Sequence, residues 1–279
     1  MKPDLSQTDP LEYNLATRVN IGDALSRAAA LFPVRVAVVD GADDITYRQL
    51  DDAAERLARS LLDLGLAPQT PLTIMMGNSW RFLATYYACA KAGLVAMPVN
   101  YVLAPDDQRW ILEDAGSRAV VVDAQLLPLL DKVLDGPELI DTIIVSGDAP
   151  ARTGGHSYHS WQELAAAAAG DGTRVGVLIE DRDAVQCIYT SGTTSRPKGV
   201  LVSHVALQIA LLSNSLATRQ SYGEQAPVML VVLPLFHTTA LNTLAMPVLG
   251  VGGTLVLSGP PFDPDAALDA IVNHGVTYL

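Results

Sequence analysis

"PLTIMMGNSWRFLATYYACAKAGLVAMPVN", residues 71 to 100, changes its period twice within a short stretch. "PLTIMM" reads as a strand, "SWRFLATYYACAKAG" carries helical spacing, and "LVAMPV" returns to a strand. Two strands joined by a helix of this length predict a parallel βαβ crossover. Strands apolar at nearly every position suit a sheet covered on both faces.

Working outward, the pattern continues on both sides. Upstream, "ITYRQLDDAAERLARSLLDLGL" places Leu50, Ala54, Leu57, Leu61 and Leu64 at helical spacing. Thr46 and Gln49 are spaced as a capping box, and Gly65 stops the helix. Downstream, "PDDQRWILEDAG" reads as a helix and "RAVVVD" as a strand. The expected fold class is α/β, with parallel-rich sheets and flanking helices.

Composition narrows the function. A chain of 279 residues, 49% hydrophobic, can bury a large core. Its formal net charge of -12 opposes binding to nucleic acid or anionic bilayers, which needs a basic face. "MKPDLSQTDP" lacks an apolar leader segment, and the apolar run "APVMLVVLPLF" is too short to span a bilayer, so a cytoplasmic protein is expected. Cys89 and Cys187 sit in apolar surroundings without metal-ligand spacing and read as buried thiols. Between residues 147 and 183 the pattern loosens, which predicts a surface excursion with an alanine-rich helix. His156 and His159 within it have no carboxylate or thiol company and read as solvated side chains.

"YTSGTTSRPKGV", residues 189 to 200, follows the strand "DAVQCIY". A loop this rich in Gly, Ser and Thr at the carboxyl edge of a sheet can offer N–H groups and hydroxyls to phosphate oxygens. It carries Lys198 as well as Arg196, in a chain where only four of 18 cationic residues are lysines. An ammonium can follow a moving phosphate, whereas an arginine fork favours one planar geometry. A Walker loop is excluded, because Pro197 and Gly199 flank Lys198.

The stretch resembles the phosphate loop of the adenylate-forming superfamily, which includes acyl-CoA synthetases, luciferases and nonribosomal adenylation domains. Ser195 stands where that family has a glycine. "ITYRQL" and "KAGLVAMPVN" resemble the family's first and second core motifs, in the family's order. The resemblance implies that ATP activates a carboxylic acid as an acyl adenylate, and that coenzyme A then displaces AMP. It further implies that Ser191, Gly192, Thr193, Thr194 and Lys198 hold the phosphates, with Lys198 catalytic, and that Thr190 stands near Mg2+. Tyr189 reads as packing. Family topology implies two subdomains, A over about 71–203 and B over about 1–70 plus 204–279.

"LPLFHTTALN", residues 233 to 242, bears on the substrate. Amino-acid-activating relatives carry an aspartate where this chain has His237, and an ammonium entering without a carboxylate partner would lose hydration uncompensated. An acid lacking an α-amine is expected, a fatty acid first, with His237 at the gate between substrate and coenzyme A. "ALNTLAMPVLG" after it reads as an apolar helix. An aryl or small-acid CoA ligase, an acyl-AMP ligase serving a carrier protein and a non-catalytic nucleotide-binding module remain alternatives, and a homodimer is left open. The family continues beyond "NHGVTYL" into a nucleotide-binding segment and a mobile C-terminal lid domain. The chain therefore reads as the N-terminal part of a longer enzyme and as inactive alone.

Overall fold

The computed structural model describes residues 8–136, 138–148, 155–167, 174–190, 196–259 and 262–279. Among these residues the strands are β1 (Val36–Asp40), β2 (Asp43–Thr46), β3 (Pro71–Met75), β4 (Val95–Pro98), β5 (Ala119–Asp123), β6 (Thr142–Ser146), β7 (Ser157–Ser160), β8 (Ala184–Thr190), β9 (Lys198–Ser203), β10 (Val228–Val231) and β11 (Thr254–Leu257). They form two sheets. The smaller has the order β10-β11-β1-β2, the larger β7-β6-β5-β3-β4-β8-β9. All neighbours pair in parallel except β1 with β2 and β8 with β9.

The period-2 alternation of an extended chain divides the apolar runs between two cores. In β5, Ala119 and Val121 join the cluster between the sheets, whereas Val120 and Val122 join the cluster on the opposite face. The helix Trp80–Ala92, between β3 and β4, is buried on all sides from Phe82 to Ala92.

The helix Tyr47–Asp63 starts where the sequence indicates. Thr46 Oγ1 accepts from the Gln49 N–H, and Gln49 Oε1 accepts from the Thr46 N–H. Leu50, Ala54, Leu57 and Leu61 are fully buried. The Tyr47 hydroxyl lies between the carbonyls of Gly253 (2.7 Å) and Leu249 (3.0 Å), tying this helix to the segment before β11.

The expected surface excursion is only partly one. β7 adds to the edge of the larger sheet, and Trp161, 2% exposed, donates its indole N–H to Thr85 Oγ1 at 2.9 Å. Apart from Tyr158, "SYHS" has no apolar or β-branched residue, and it forms a strand because the edge of β6 offers backbone partners on one side. His156 Nδ1 lies 2.7 Å from the Ile140 carbonyl and His159 Nε2 lies 2.7 Å from Ser157 Oγ. Both cysteines are buried and free. The expected apolar helix after His237 is π-helical over Thr239–Ala245 and α-helical only over Met246–Gly250. No helix among the described residues is long and apolar enough to cross a membrane.

Candidate active site

β8 and β9 form an antiparallel hairpin in which Tyr189 and Thr190 end one stem and Lys198, Gly199 and Val200 begin the other. Thr190 pairs with Lys198 across the two stems. Directly opposed residues of an antiparallel pair project from the same face of the sheet, with Cβ atoms roughly 5 Å apart. The hydroxyl and the ammonium therefore leave the hairpin side by side, both exposed. Ser191, Gly192, Thr193 and Thr194 lie outside the described residues.

The glycine after Lys198 has a steric reason. A Cβ on Gly199 would stand 3.0 Å from Tyr189 Cζ and 3.1 Å from Cys187 Sγ, so a side chain there would displace the tyrosine ring. Tyr189 is more than packing. Its hydroxyl donates to Asp114 Oδ2 at 2.6 Å, and burial, then the Asp114 carboxylate, push its pKa upward and keep it a donor. Its ring meets Trp110 edge-on at 6.1 Å, and the Arg196 guanidinium lies 5.3 Å from the same Trp110 ring. Tyr189 of β8 and Arg196, just ahead of β9, thus both dock on one helix, Pro105–Ala115.

Thr190, Tyr189 and Pro197 line a cavity of about 480 Å³ whose opposite wall carries Leu233, Phe236, His237, Thr238 and Thr239. Pro98, Val99, Asn100, Leu103, Ile111 and Ile188 complete it. Among the described lining residues there is no Asp, Glu, Lys or Arg. Thr190 at the end of β8 and His237 in the segment that leaves β10, 47 positions apart in the chain, therefore face one space. Lys198 stands beside it, across from Thr190, and is absent from the described lining.

His237 caps the turn that enters the π-helical run. Its N–H donates to the Pro234 carbonyl (3.0 Å) and its carbonyl accepts from the Leu241 N–H (3.0 Å). Its exposed ring packs on Phe236 at 4.6 Å, and Phe236 meets Tyr101 edge-on at 5.1 Å. A second cavity, about 700 Å³, lies beyond Tyr101 at the carboxyl ends of β1, β3, β5 and β6, where Asp40, Asn78, Arg81 and Asp123 line it. Burial raises the pKa of both carboxyls, Asp40 and Asp123. No group of three or more metal-ligating side chains occurs among the described residues.

Sequence reasoning missed two residues. Lys91, inside the second motif, is buried against Asp51 and Glu55. Asn78 bonds to the segments that leave β10 and β11, and Ser79 beside it caps the following helix by accepting from the Phe82 N–H at 3.1 Å.

Comparison with known proteins identifies the family and the fold. The AMP-binding enzyme family matches residues 25–279. An indoleacetate–CoA ligase of Aromatoleum aromaticum is 34% identical over 259 residues, covering 93% of this chain and 49% of the relative. A long-chain fatty acid–CoA ligase of Mycobacterium tuberculosis is 32% identical over 270 residues, covering 92% and 48%. The solved structure of a fatty acyl-CoA synthetase from Mycobacterium tuberculosis superposes with a TM-score of 0.74 at 30% identity, over 92% of this chain and 48% of that one. The chain spans about half the length of the curated relatives it matches.

Proposed function

The chain belongs to the AMP-binding enzyme family, and from that premise we propose that the whole protein is an acid–thiol ligase. It joins an apolar carboxylic acid to ATP as an acyl adenylate, releasing pyrophosphate, and then transfers the acyl group to coenzyme A with release of AMP. The observation that carries this reading is the cavity shared by Thr190 and His237, which has no charged side chain among its described lining. An amino acid's ammonium would lose its hydration there without a counter-ion. A fatty acid is the first choice of substrate. The likeness to an indoleacetate–CoA ligase favours an aryl-acetic acid as the second.

In this reading Ser191, Gly192, Thr193, Thr194 and Lys198 hold the ATP phosphates, and Lys198 offsets charge on the departing pyrophosphate. The paired exit of Thr190 and Lys198 from one face supports this. Magnesium is usually held by substrate phosphates together with one or two carboxylates. Thr190 would add a hydroxyl ligand beside the phosphates, the described lining of the cavity offers no carboxylate, and the ion would supply further charge neutralisation. His237 stands at the gate between acid and thiol. Subdomains A (71–203) and B (1–70 plus 204–279) form the two walls of the cavity in this scheme.

The experiment is acid-dependent pyrophosphate release by the whole protein across straight-chain acids, arylacetates, benzoates and amino acids. Each methylene buried in an apolar site contributes about 0.8 kcal/mol, so kcat/KM should climb with acyl length until the site is filled. Preference for an amino acid, or no response to any carboxylic acid, refutes the proposal.

A further inference from the structure

The turn Gly77–Ser79, between β3 and the helix Trp80–Ala92, holds both sheets at their carboxyl ends. The Gly77 N–H donates to Asp123 Oδ2 at the end of β5 (2.8 Å), and the Trp80 N–H donates to Asp40 Oδ2 at the end of β1 (3.0 Å). Asn78, between them, reaches the segments that leave β10 and β11. Its Nδ2 donates to the carbonyls of Leu233 and Ser258, both at 3.0 Å, and its Oδ1 accepts from the Leu235 N–H at 2.8 Å. Two acceptors and one donor around the same amide settle which atom is nitrogen, and a carboxamide is the side chain that meets all three.

Leu233 and Leu235 flank Pro234, whose carbonyl holds the His237 N–H. Asn78 therefore brackets the turn that ends in His237. Beyond Asn78, the turn is held by Leu235, which is buried in the core between the sheets, and by the Phe236 ring against Tyr101. None of the three bonds of Asn78 reaches the hairpin that carries Thr190 and Lys198.

We infer that Asn78 is a positioning residue: its amide sets the 233–237 turn at the height where the His237 imidazole faces the cavity wall formed by Thr190. The inference rests on the reading above, in which this cavity receives the acid. A tie that served stability alone would weaken every step evenly. A tie that acts through His237 weakens the acid side and spares the nucleotide side.

The test uses the whole protein and compares wild type with Asn78→Ala, Asn78→Asp, His237→Ala and the Asn78→Ala/His237→Ala double variant. Asn78→Asp keeps the shape and the acceptor for Leu235 but sets a carboxylate against two carbonyls, so it should behave like Asn78→Ala. A displacement of about 1 Å can cost on the order of a hundredfold, and a loss of that size is expected in kcat/KM for the acid, with KM for ATP nearly unchanged. In the His237→Ala background the further loss from Asn78→Ala should vanish. Independently of turnover, the rate of carbethoxylation at His237, followed by peptide mass, should differ between wild type and the Asn78 variants. Undiminished loss in the His237→Ala background, equal effects on acid and ATP, unchanged His237 reactivity, or unfolding of both Asn78 variants would each overturn the inference. A wild-type protein that releases no pyrophosphate with any acid would instead overturn the ligase reading, and the His237 reactivity would still decide the role of Asn78.

Discussion

Replacing Lys91 by methionine should destabilise the protein by an amount the structure lets one work out. The Lys91 side chain is 3% exposed, and its ammonium lies 2.9 Å from Asp51, 3.0 Å from Glu55 and 2.6 Å from Ser26 Oγ. The Asp51 and Glu55 side chains are 20% and 21% exposed. Methionine fills the volume but leaves two carboxylates facing each other across the vacated position. Removing one partner of a buried ion pair costs about 3–5 kcal/mol, because the remaining charge is uncompensated. The lower end applies here. Asp51 keeps Ser26 (2.9 Å), and Glu55 keeps the Val175 N–H (2.6 Å) and Arg59 (3.4 Å). At about 2 °C per kcal/mol for a chain of this size, a loss of about 3 kcal/mol lowers Tm by about 6 °C. The assay is thermal unfolding of the whole protein by circular dichroism. The triple variant Lys91→Met/Asp51→Asn/Glu55→Gln removes the stranded charges and should regain most of the loss. A Tm for Lys91→Met within about 1 °C of wild type, against the shift expected from this scaling, would refute the reasoning, as would a triple variant less stable than the single one.

Two further outcomes are expected. Lys198→Ala and Thr193→Ala should each slow adenylate formation by on the order of a hundredfold, while thioester formation from supplied acyl adenylate is much less affected. Rapid-quench measurement of the two half-reactions checks this, and equal losses in both would exclude a phosphate role. Stability should also fall with acidification through His204, whose ring is buried and accepts the Ile21 N–H at Nδ1 (3.1 Å). Burial first, and then nearby Arg18, lower its pKa to about 4. The unfolded chain therefore binds the proton first, so this stabilisation is complete above the ordinary histidine pKa of about 6.5. It is lost as pH falls toward 4 and amounts to roughly 3 kcal/mol. Urea midpoints measured from pH 7 to 4 should slope less steeply in His204→Gln, and an unchanged slope would remove His204 from the acid sensitivity.

What the sequence determined alone is what short-range physics encodes. Period and caps define the helix Tyr47–Asp63 before any tertiary contact forms, and alternation in "AVVVD" already assigns Val120 and Val121 to opposite faces. The small, hydroxyl-rich composition around Lys198 is likewise local, and it supports the phosphate loop proposed there without reference to any distant segment. What tertiary structure decided is everything that depends on which distant segment arrives. "SYHS" becomes a strand only because the edge of β6 is there to pair with it, and the return of the chain as β9 puts Lys198 opposite Thr190. Lys91 reads as one more surface cation until the helices Ile21–Leu31 and Tyr47–Asp63 close over it. A Cβ on Gly22 would lie 2.5 Å from Lys91 Cγ, which shows how closely the first of them seats. Asn78 has no local signature at all. Its three bonds join it to residues 155 to 180 positions away, and hydrogen-bonding capacity in a sequence names no partner until the fold supplies one.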